Sequence, residues 1–489
     1  MIKHIKTNFV GIENRRKYQY LLLLVITLVA AALRFYKLGS WSFWIDEIFT
    51  VGRVQAHYSS LEEIIQNVPP NWTWLPLSLL LTSGILNTLG TNEWSARLVP
   101  ALIGIFSIPI LYFPIRRLLG SAVALMAVLL LAVAPWHLYW SQNARYYTAL
   151  LLFYSLALFA FFFALERDRL GYMLLFIVLT YLATSERLSA LLIVPVVACY
   201  LLLLKILPFE KPPGLRARNL LPLILLPIVG VLFEIYRLVE GHQLMISDVY
   251  SNFLNGTIDV LHAVRLLSGV IYYIGVPLVC LAFFGGIYLL AAKKRLGLFL
   301  LLGALVPLVV LLAPVSQTRY VFQSLPFWII LGIIAVRQIY ISVSGHGRIL
   351  AVGVLVLLLV DPIGQVWLYY NYQNGHRWDW KGAFALVQGK RVDGDLVVTT
   401  WPQLGSYYLG DEVIPMHRTQ PDDVVQAGSR VWFVDDGWVN PELAKWLLKN
   451  TELVDVFDVH MTGKVFPMRV YLYDPNRTGA KDLVNITRD

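Results

Sequence analysis

Long apolar runs separated by short charged loops constrain this chain more than any other feature. They begin at residue 18 and continue to about residue 370. A helix needs about 20 mainly apolar residues to cross the hydrocarbon core of a bilayer. The 489-residue chain is 57% hydrophobic and 15% charged, with a mean hydropathy of +0.63, far from the composition of a soluble domain. We therefore predict an α-helical polytopic membrane protein.

The basic residues predict how the spans are oriented. Lys3, Lys6, Arg15, Arg16 and Lys17 precede the first run, which places the N-terminus in the cytoplasm by the positive-inside rule. The run 76–89 is too short to cross, and later basic loops fall on one side if it lies in the interface or re-enters. About eleven spans result: 18–35, 96–118, 121–135, 146–165, 170–183, 188–207, 220–238, 266–292, 296–313, 321–336 and 350–370.

The chain changes character after residue 372. Residues 1–372 carry 27 Lys and Arg against 15 Asp and Glu, whereas residues 373–489 carry 13 against 16. The second segment contains strand-like runs at 396–401, 431–434 and 464–473 and a helical pattern at 441–449, separated by Asp-Gly and Gly-Asp turns. We predict a transmembrane domain at 1–372 and a small external α/β domain at 373–489.

Several classes of site are not indicated. The basic excess lies in the membrane part, where it sets orientation, so nucleic-acid binding is not implied. Cys199 and Cys280 both lie in apolar runs, which offers neither a disulfide framework nor a cysteine metal site. Asp361, beside Pro362, is the clearest charge within a span; a helix end or kink near the outer interface is its simplest explanation.

The stretch WSFWIDEIFT, residues 41–50, concentrates acidic and aromatic side chains just after the first span. Aromatic rings settle at the headgroup level while carboxylates avoid hydrocarbon. Asp46 and Glu47 therefore predict an acidic site at the external membrane surface. Simple solvation of the two acids in an interfacial loop is the alternative.

Several stretches, read in order, resemble the GT-C superfamily of membrane glycosyltransferases. They are LRFYKLGSWSFWIDE at 33–47, EWSARLVPALIGIFSIPILYFPIRRLLG at 93–120, APWHLYWSQNARYYTALL at 134–151 and QTRYVFQSLP at 317–326. The superfamily includes protein O-mannosyltransferases and lipid A aminoarabinose transferases, which use polyprenyl-phosphate-linked sugars. The resemblance implies a bundle of about a dozen helices with interfacial helices in the first external loop.

The resemblance also implies roles for the acidic pair. Asp46 takes the position of the general base for the acceptor, or of a ligand to a divalent metal, with Glu47 as its neighbour. Adjacent carboxylates at such a surface suit both tasks, since they can bind a hard cation or accept a hydroxyl proton.

Two arginines match positions near the lipid phosphate in these families. A guanidinium stays charged and can hold phosphate bidentately, so Arg145 and Arg319 are expected to stabilise the leaving group. Tyr146 and Tyr320 are expected to line the same cavity. Snorkelling to lipid headgroups is the alternative for the arginines, and interfacial anchoring is the alternative for the tyrosines.

The sequence departs from the family pattern at two places. The interfacial helix lacks the usual His or Lys before Pro-Pro and reads NVPPNW at 67–72, and Asn143 replaces an acid in the SQEAR motif. Both departures bear on metal binding. Glu186 with Arg187, and His242 or His262, are candidates to compensate, although an external Glu-Arg neighbour pair is more often a solvated contact.

The resulting hypothesis is an inverting glycosyltransferase of the plasma membrane. It moves a sugar from a polyprenyl-phosphate carrier to a lipid, glycan or protein acceptor at the external face. A flippase of lipid-linked sugars and a non-catalytic scaffold that binds cell-surface polymer are the two alternatives. The enzymatic reading requires that Asp46, Arg145 and Arg319 share one cleft.

Overall fold

The chain folds as two compact units. The computed structural model describes residues 2–57, 76–228, 260–312, 317–342, 346–420, 428–461 and 464–476, together with 231, 235 and 239. The first unit comprises Met1–Leu38 and Arg53–Val366, and the second comprises Gly39–Gly52 and Trp367–Asp489. The short segment that carries the acidic pair thus belongs to the second unit. The division into functional domains at 1–372 and 373–489 stays a prediction.

The first unit is helical throughout the residues that the structure describes. Its α-helices are Ile2–Phe35, Leu77–Leu89, Glu93–Leu119, Ser121–Val133, Pro135–Ser141, Tyr147–Arg167, Leu170–Glu186, Ile193–Ile206, Ala217–Leu220, Val260–Ile274, Val276–Ala291, Arg295–Val310 and Leu325–Ser342. Short 3₁₀ segments at Leu188–Leu192, Leu221–Ile224 and Thr318–Ser324 precede longer helical stretches. Helices Ile45–His57 and His346–Asn371 each cross a boundary between the units.

Apolar composition explains why these segments are helices, because backbone polar groups within hydrocarbon must be satisfied inside the segment. Among the described residues, six helices are long and apolar enough to cross a membrane, or eight if two bent pairs each count as one span. The chain is therefore a polytopic membrane protein. Each predicted span is mainly helical in its described part, while the total of about eleven stays a prediction.

One predicted span is not continuous. The segment 266–292 is two helices, Val260–Ile274 and Val276–Ala291, which meet at 94°. Gly275 between them has a φ of +91°, and Pro277 lies in the first turn of the second helix. Proline is tolerated there but cannot continue the preceding helix. The span predicted at 266–292 is therefore interrupted by a sharp bend, which apolar composition does not reveal.

Side-chain contacts at the two ends of the bundle bear on the short run at 76–89. Arg97 donates to the Leu38 carbonyl at 3.1 Å, so helix Glu93–Leu119 begins where the first helix ends. Arg116 near its other end donates to the Tyr20 hydroxyl at 2.9 Å. The two helices are thus antiparallel neighbours. These contacts support the prediction that helix Leu77–Leu89 does not carry the chain across.

Three loops that were predicted to share one side lie in contact. Arg295 holds both carboxylate oxygens of Glu166, at 2.8 and 2.9 Å. Asp168 pairs with Arg216 at 2.9 Å and with Arg218 at 3.1 Å. Oppositely charged side chains that meet at one end of the bundle agree with the predicted alternation of spans. Which end faces the cytoplasm stays a prediction.

Asp361 lies inside helix His346–Asn371 and not at its end. Its two carboxylate oxygens accept from Gln365, one turn later, at 3.1 Å each. A helical i, i+4 pair of this kind supplies a polar partner within the same helix. Of the two explanations predicted for Asp361, the helix end is therefore excluded, and a kink beside Pro362 stays a prediction.

The second unit contains a five-stranded sheet in the order β2-β1-β3-β5-β4. Its strands are β1, Leu396–Thr399; β2, Ile414–Pro415; β3, Val431–Asp435; β4, Glu452–Met461; and β5, Lys464–Tyr473. Strand β1 is parallel to β2 and β3, whereas β5 is antiparallel to β3 and β4. Strand candidates at 396–401, 431–434 and 464–473 are confirmed, although β1 ends at Thr399, and β2 and β4 were missed.

Helices Trp380–Lys390, Pro402–Leu409 and Pro441–Asn450 accompany this sheet. One buried cluster packs the third of these helices against it through Leu443 and Leu447, which join Phe433 and Tyr471. The helix begins with Asn440 as N-cap and Pro441 in its first turn, as expected for a helix start. The helical pattern at 441–449 is confirmed.

Candidate functional site

Three arginines and two tyrosines from distant parts of the sequence form one cluster in the first unit. We call Arg145, Arg187 and Arg319, with Tyr146 and Tyr320, the arginine cluster. The Arg187 guanidinium carbon lies 4.3 Å from the Tyr320 ring centroid and 5.3 Å from that of Tyr146. Arg145 lies 4.9 Å from the Tyr146 ring, and Arg319 lies 5.6 Å from the Tyr320 ring. Arg187 therefore bridges the two arginine-tyrosine pairs.

The local backbone explains why these side chains meet. Arg145 lies in a tight turn between helices Pro135–Ser141 and Tyr147–Arg167. Arg187 and Arg319 occupy the beginnings of 3₁₀ segments, Leu188–Leu192 and Thr318–Ser324, each of which leads directly into an α-helix. All three arginines thus stand at helix starts or turns, where the chain changes direction.

The chemistry of the cluster suits an anion. Cation-π contacts hold the guanidinium groups against ring faces, and a guanidinium group can hold an oxyanion bidentately. The Tyr146 hydroxyl also accepts from Arg145 at 3.1 Å, which fixes that ring and that guanidinium together. Positive charge from three side chains suits a ligand that carries more than one negative oxygen.

An aromatic layer adjoins the cluster. Phe322 lies in the same 3₁₀ segment as Tyr320 and packs edge-on to Trp136 with a centroid separation of 5.2 Å. Trp136 stacks on Tyr273 at 5.1 Å. Trp140 lies 3.8 Å from Tyr147, the residue after Tyr146. This layer surrounds the base of the cluster with apolar surface, where charge interactions are stronger than in water.

The acidic pair lies in the second unit, in the first turn of helix Ile45–His57. Glu47 is fully buried, accepts from the Trp44 backbone N–H at 3.2 Å and forms an ion pair of 3.2 Å with the equally buried Arg377. Asp46 is only partly buried, and its backbone carbonyl accepts from Thr50. Glu47 is thus part of a buried ion pair, and it is more deeply buried than Asp46.

A compact loop holds Arg377 in place. Its guanidinium donates to the Gly375 carbonyl at 2.6 Å. Gly375 has a φ of +61°, and any β-carbon there would meet the ring of Trp41, so this close packing requires glycine. Burial, aided by the charge of Arg377, lowers the pKa of His376 to about 4. His376 is therefore neutral near pH 7.

The residues predicted as accessory candidates have different surroundings in the structure. Glu186 is buried and accepts from the backbone N–H of Ser78 at 3.0 Å and from its hydroxyl. It therefore caps helix Leu77–Leu89, while the adjacent Arg187 enters the arginine cluster. His262 approaches the Leu311 carbonyl at 3.5 Å. His242 and the residues 67–72 lie outside the described residues.

A buried polar network in the first unit had no place in the sequence analysis. Arg34, at the end of the first span, donates to the Ala132 carbonyl at 2.8 Å and to Nδ1 of His137 at 2.7 Å. Because a guanidinium can only donate, Nδ1 accepts and the Nε2 proton faces the Ser107 hydroxyl at 3.3 Å. Arg34 and His137 are fully buried. The sequence did contain a signal for this network, because a charged residue, Arg34, and a titratable residue, His137, lie within apolar stretches.

The fit to a divalent metal is poor in the part of the chain that is described. There, no group of three or more His, Cys, Asp or Glu side chains is placed to hold an ion. One carboxylate of the predicted pair, Glu47, is already engaged by Arg377. The described side chains therefore do not fit a divalent cation held by both acids.

Sequence and structure comparisons identify similar proteins. The family model for dolichyl-phosphate-mannose-protein mannosyltransferases matches residues 68–227. No curated protein matches the chain in sequence.

Three solved structures share the fold. ArnT from Cupriavidus metallidurans in the apo state is 16% identical, with 94% of this chain and 99% of that chain covered and a TM-score of 0.59. The same enzyme bound to undecaprenyl phosphate is 15% identical, with coverage of 92% and 97% and a TM-score of 0.62. The oligosaccharyltransferase AglB from Archaeoglobus fulgidus, in complex with an inhibitory peptide and a dolichol phosphate, is 12% identical, with coverage of 93% and 74% and a TM-score of 0.57.

The first two alignments span nearly the whole of both chains. The resemblance predicted from the sequence is therefore confirmed, and this chain has the fold of the GT-C membrane glycosyltransferases.

Proposed function

We propose that this protein is a membrane glycosyltransferase that takes its sugar from a polyprenyl monophosphate carrier. The observation that carries the proposal is the arginine cluster, in which three guanidinium groups surround two tyrosines in a chain with the GT-C fold. A monophosphate ester that leaves with its charge needs such cationic stabilisation. The solved structures of ArnT with undecaprenyl phosphate and AglB with dolichol phosphate support this class of donor.

In the proposed reaction an acceptor hydroxyl attacks the anomeric carbon of the sugar. The bond from that carbon to the phosphate oxygen breaks, its electron pair stays on the lipid phosphate, and the configuration inverts. Arg145, Arg187 and Arg319 neutralise the departing phosphate. Each can make charge-assisted hydrogen bonds that strengthen as negative charge builds up.

Asp46 is proposed as the general base that takes the acceptor proton. It is the partly buried member of the acidic pair, whereas Glu47 is held by Arg377. Asp46 lies in the first turn of helix Ile45–His57, and a general base must stand within hydrogen-bond reach of the acceptor hydroxyl.

The proposal includes the setting of the reaction. The positive-inside rule places the N-terminus in the cytoplasm and the acidic pair, with the C-terminal α/β domain, on the external side of the plasma membrane. About eleven spans carry this topology. The acceptor is a lipid, glycan or protein on that side.

Transfer by purified full-length protein tests the proposal. Undecaprenyl-phosphate-linked hexoses and pentoses are supplied with a membrane lipid extract as acceptor, and released undecaprenyl phosphate and new glycosides are measured. We expect release with at least one donor, and a loss of about 10²- to 10⁴-fold in Asp46→Asn, the usual contribution of a general base. The exposed Asp393 provides a matched control, Asp393→Asn, with unchanged turnover.

Two results contradict the proposal in different ways. A protein that binds the donors but forms no glycoside with any of them is a flippase or a scaffold and not a transferase. Full activity in Asp46→Asn removes the base but leaves the transferase. Because the described residues do not fit a divalent cation, EDTA in the same assay should leave turnover unchanged, and lost turnover would restore a metal role for Asp46.

A further inference from the structure

Gln142, a near neighbour of Arg145 in the sequence, fixes the turn that carries Arg145. The proposed reaction gives Gln142 no role. Gln142 is fully buried and begins this turn, where its backbone N–H donates to the Leu138 carbonyl at 3.0 Å. Three residues later the turn presents Arg145 to the arginine cluster. The position of Gln142 therefore sets the point at which the Arg145 side chain leaves the backbone.

The Gln142 side chain bonds to the end of the first helix. Its amide nitrogen donates to the carbonyls of Arg34 at 2.9 Å and Tyr36 at 2.8 Å, with that of Leu33 at 3.3 Å. Helix Ile2–Phe35 ends here, and the last carbonyls of any helix have no N–H partner within it. One amide thus satisfies several carbonyls that a buried helix end would otherwise leave unpaired.

A second contact holds the same two segments together. The Arg34 side chain donates to His137 one turn before Gln142, and the Ser141 hydroxyl donates to the His137 carbonyl at 2.6 Å. Gly104 leaves room for this packing, because a β-carbon there would overlap the Ser141 hydroxyl. Helix Pro135–Ser141 is therefore held by the Arg34 contact and packs closely against Gly104. These contacts restrict the turn that follows it.

We propose that Gln142 is a positioning residue for the donor phosphate, acting through Arg145. It holds the turn 142–146 against the end of the first helix, so that Arg145 contacts the Tyr146 ring, which Arg187 also contacts. This inference rests on the proposed function, because it takes the arginine cluster as the phosphate site. It assigns Gln142 a role in binding without contact to the ligand.

Binding of undecaprenyl phosphate to the full-length protein in detergent tests the inference without a sugar or an acceptor. Gln142→Met keeps the size of the side chain and removes its donors, and we expect affinity to fall about 10-fold, the equivalent of about 1.4 kcal/mol. Gln142→Lys retains N–H donors and is expected to bind within about threefold of the native protein. Should Gln142→Met fail to fold, Gln142→Asn, with a shortened amide, replaces it.

A double-mutant cycle separates positioning from general damage. If Gln142 acts through Arg145, then Gln142→Met combined with Arg145→Ala binds no more weakly than Arg145→Ala alone. In the transfer assay the donor KM rises while kcat at saturation stays within about threefold, whereas a merely structural defect lowers the active fraction and leaves KM unchanged.

The possible failures are distinguishable. Additive effects of the two substitutions, or native affinity in Gln142→Met, overturn the positioning role of Gln142. Native affinity in Arg145→Ala overturns the phosphate role of the arginine cluster and with it the proposed function.

Discussion

Two pairs of adjacent charged residues, Asp46–Glu47 in the second unit and Glu186–Arg187 in the first, are resolved in the same way. In each pair a glutamate is buried, with exposed fractions of 0% for Glu47 and 2% for Glu186. In each pair the neighbour is only partly buried. In both pairs the glutamate supports the structure, whereas its neighbour is proposed to take part in the reaction.

Both glutamates stabilise the start of a helix, but their partners differ. Glu47 accepts from Trp44 at the first turn of helix Ile45–His57 and pairs with the buried guanidinium of Arg377. Glu186 accepts from the N–H and hydroxyl of Ser78, which are neutral groups. Loss of Glu47 strands a buried charge, whereas loss of Glu186 strands polar groups without charge. The comparison therefore predicts unequal costs.

The largest effect is expected for Glu47. Removal of one partner of a buried ion pair costs about 3–5 kcal/mol, so Glu47→Gln should strongly lower the thermal unfolding midpoint of the full chain in detergent. The exposed pair of Arg391 with Asp411 serves as control, since the Asp411 side chain is 58% exposed, and Asp411→Asn should cost about 0–1 kcal/mol.

The double variant Glu47→Gln with Arg377→Met removes both charges and should recover part of the loss. Equal midpoints for Glu47→Gln and Asp411→Asn would show that Glu47 is not the structural member of its pair.

Arg187 should show the opposite behaviour. A charge-assisted hydrogen bond is worth about 1.5–3 kcal/mol, so Arg187→Met should weaken undecaprenyl phosphate binding by about 10- to 100-fold while the unfolding midpoint changes little. Arg216, 64% exposed and paired with Asp168, gives the control Arg216→Met, with native affinity. Binding that survives in Arg187→Met but fails in Arg145→Ala would remove Arg187 from the phosphate site.

These pairs also show where sequence reasoning reaches its limit. The apolar runs predicted the helices, and β-branched runs predicted three of the five strands. Strand β4 was missed because Glu452, Asp455 and Asp458 interrupt its apolar pattern at the edge of the sheet. The break at Gly275 was missed because apolar composition carries no information about direction.

The arginine cluster was only partly predictable. Arg145 and Arg319 followed from the resemblance, but Arg187 was an accessory candidate beside Glu186. Linear spacing does not report which way two neighbours point. The bridge from Arg187 to Tyr146 and Tyr320 depends on the 3₁₀ start at Leu188–Leu192, where Arg187 adopts an extended backbone with φ −164°. Only the folded backbone separates it from the glutamate before it.

The smallest effect is expected for Glu186. It tests whether the structural role of Glu186 and the binding role of Arg187 are independent. Glu186→Ala leaves the N–H and hydroxyl of Ser78 without their buried acceptor, at a cost of about 1–3 kcal/mol, less than for Glu47→Gln. If the two roles are separate, undecaprenyl phosphate binding in Glu186→Ala stays within about threefold of native, and Ser78→Ala behaves alike, since additivity holds for independent sites. A loss of affinity equal to that of Arg187→Met, with the unfolding midpoint unchanged, would instead make Glu186 part of the binding machinery, because the cap on helix Leu77–Leu89 would then control where Arg187 lies.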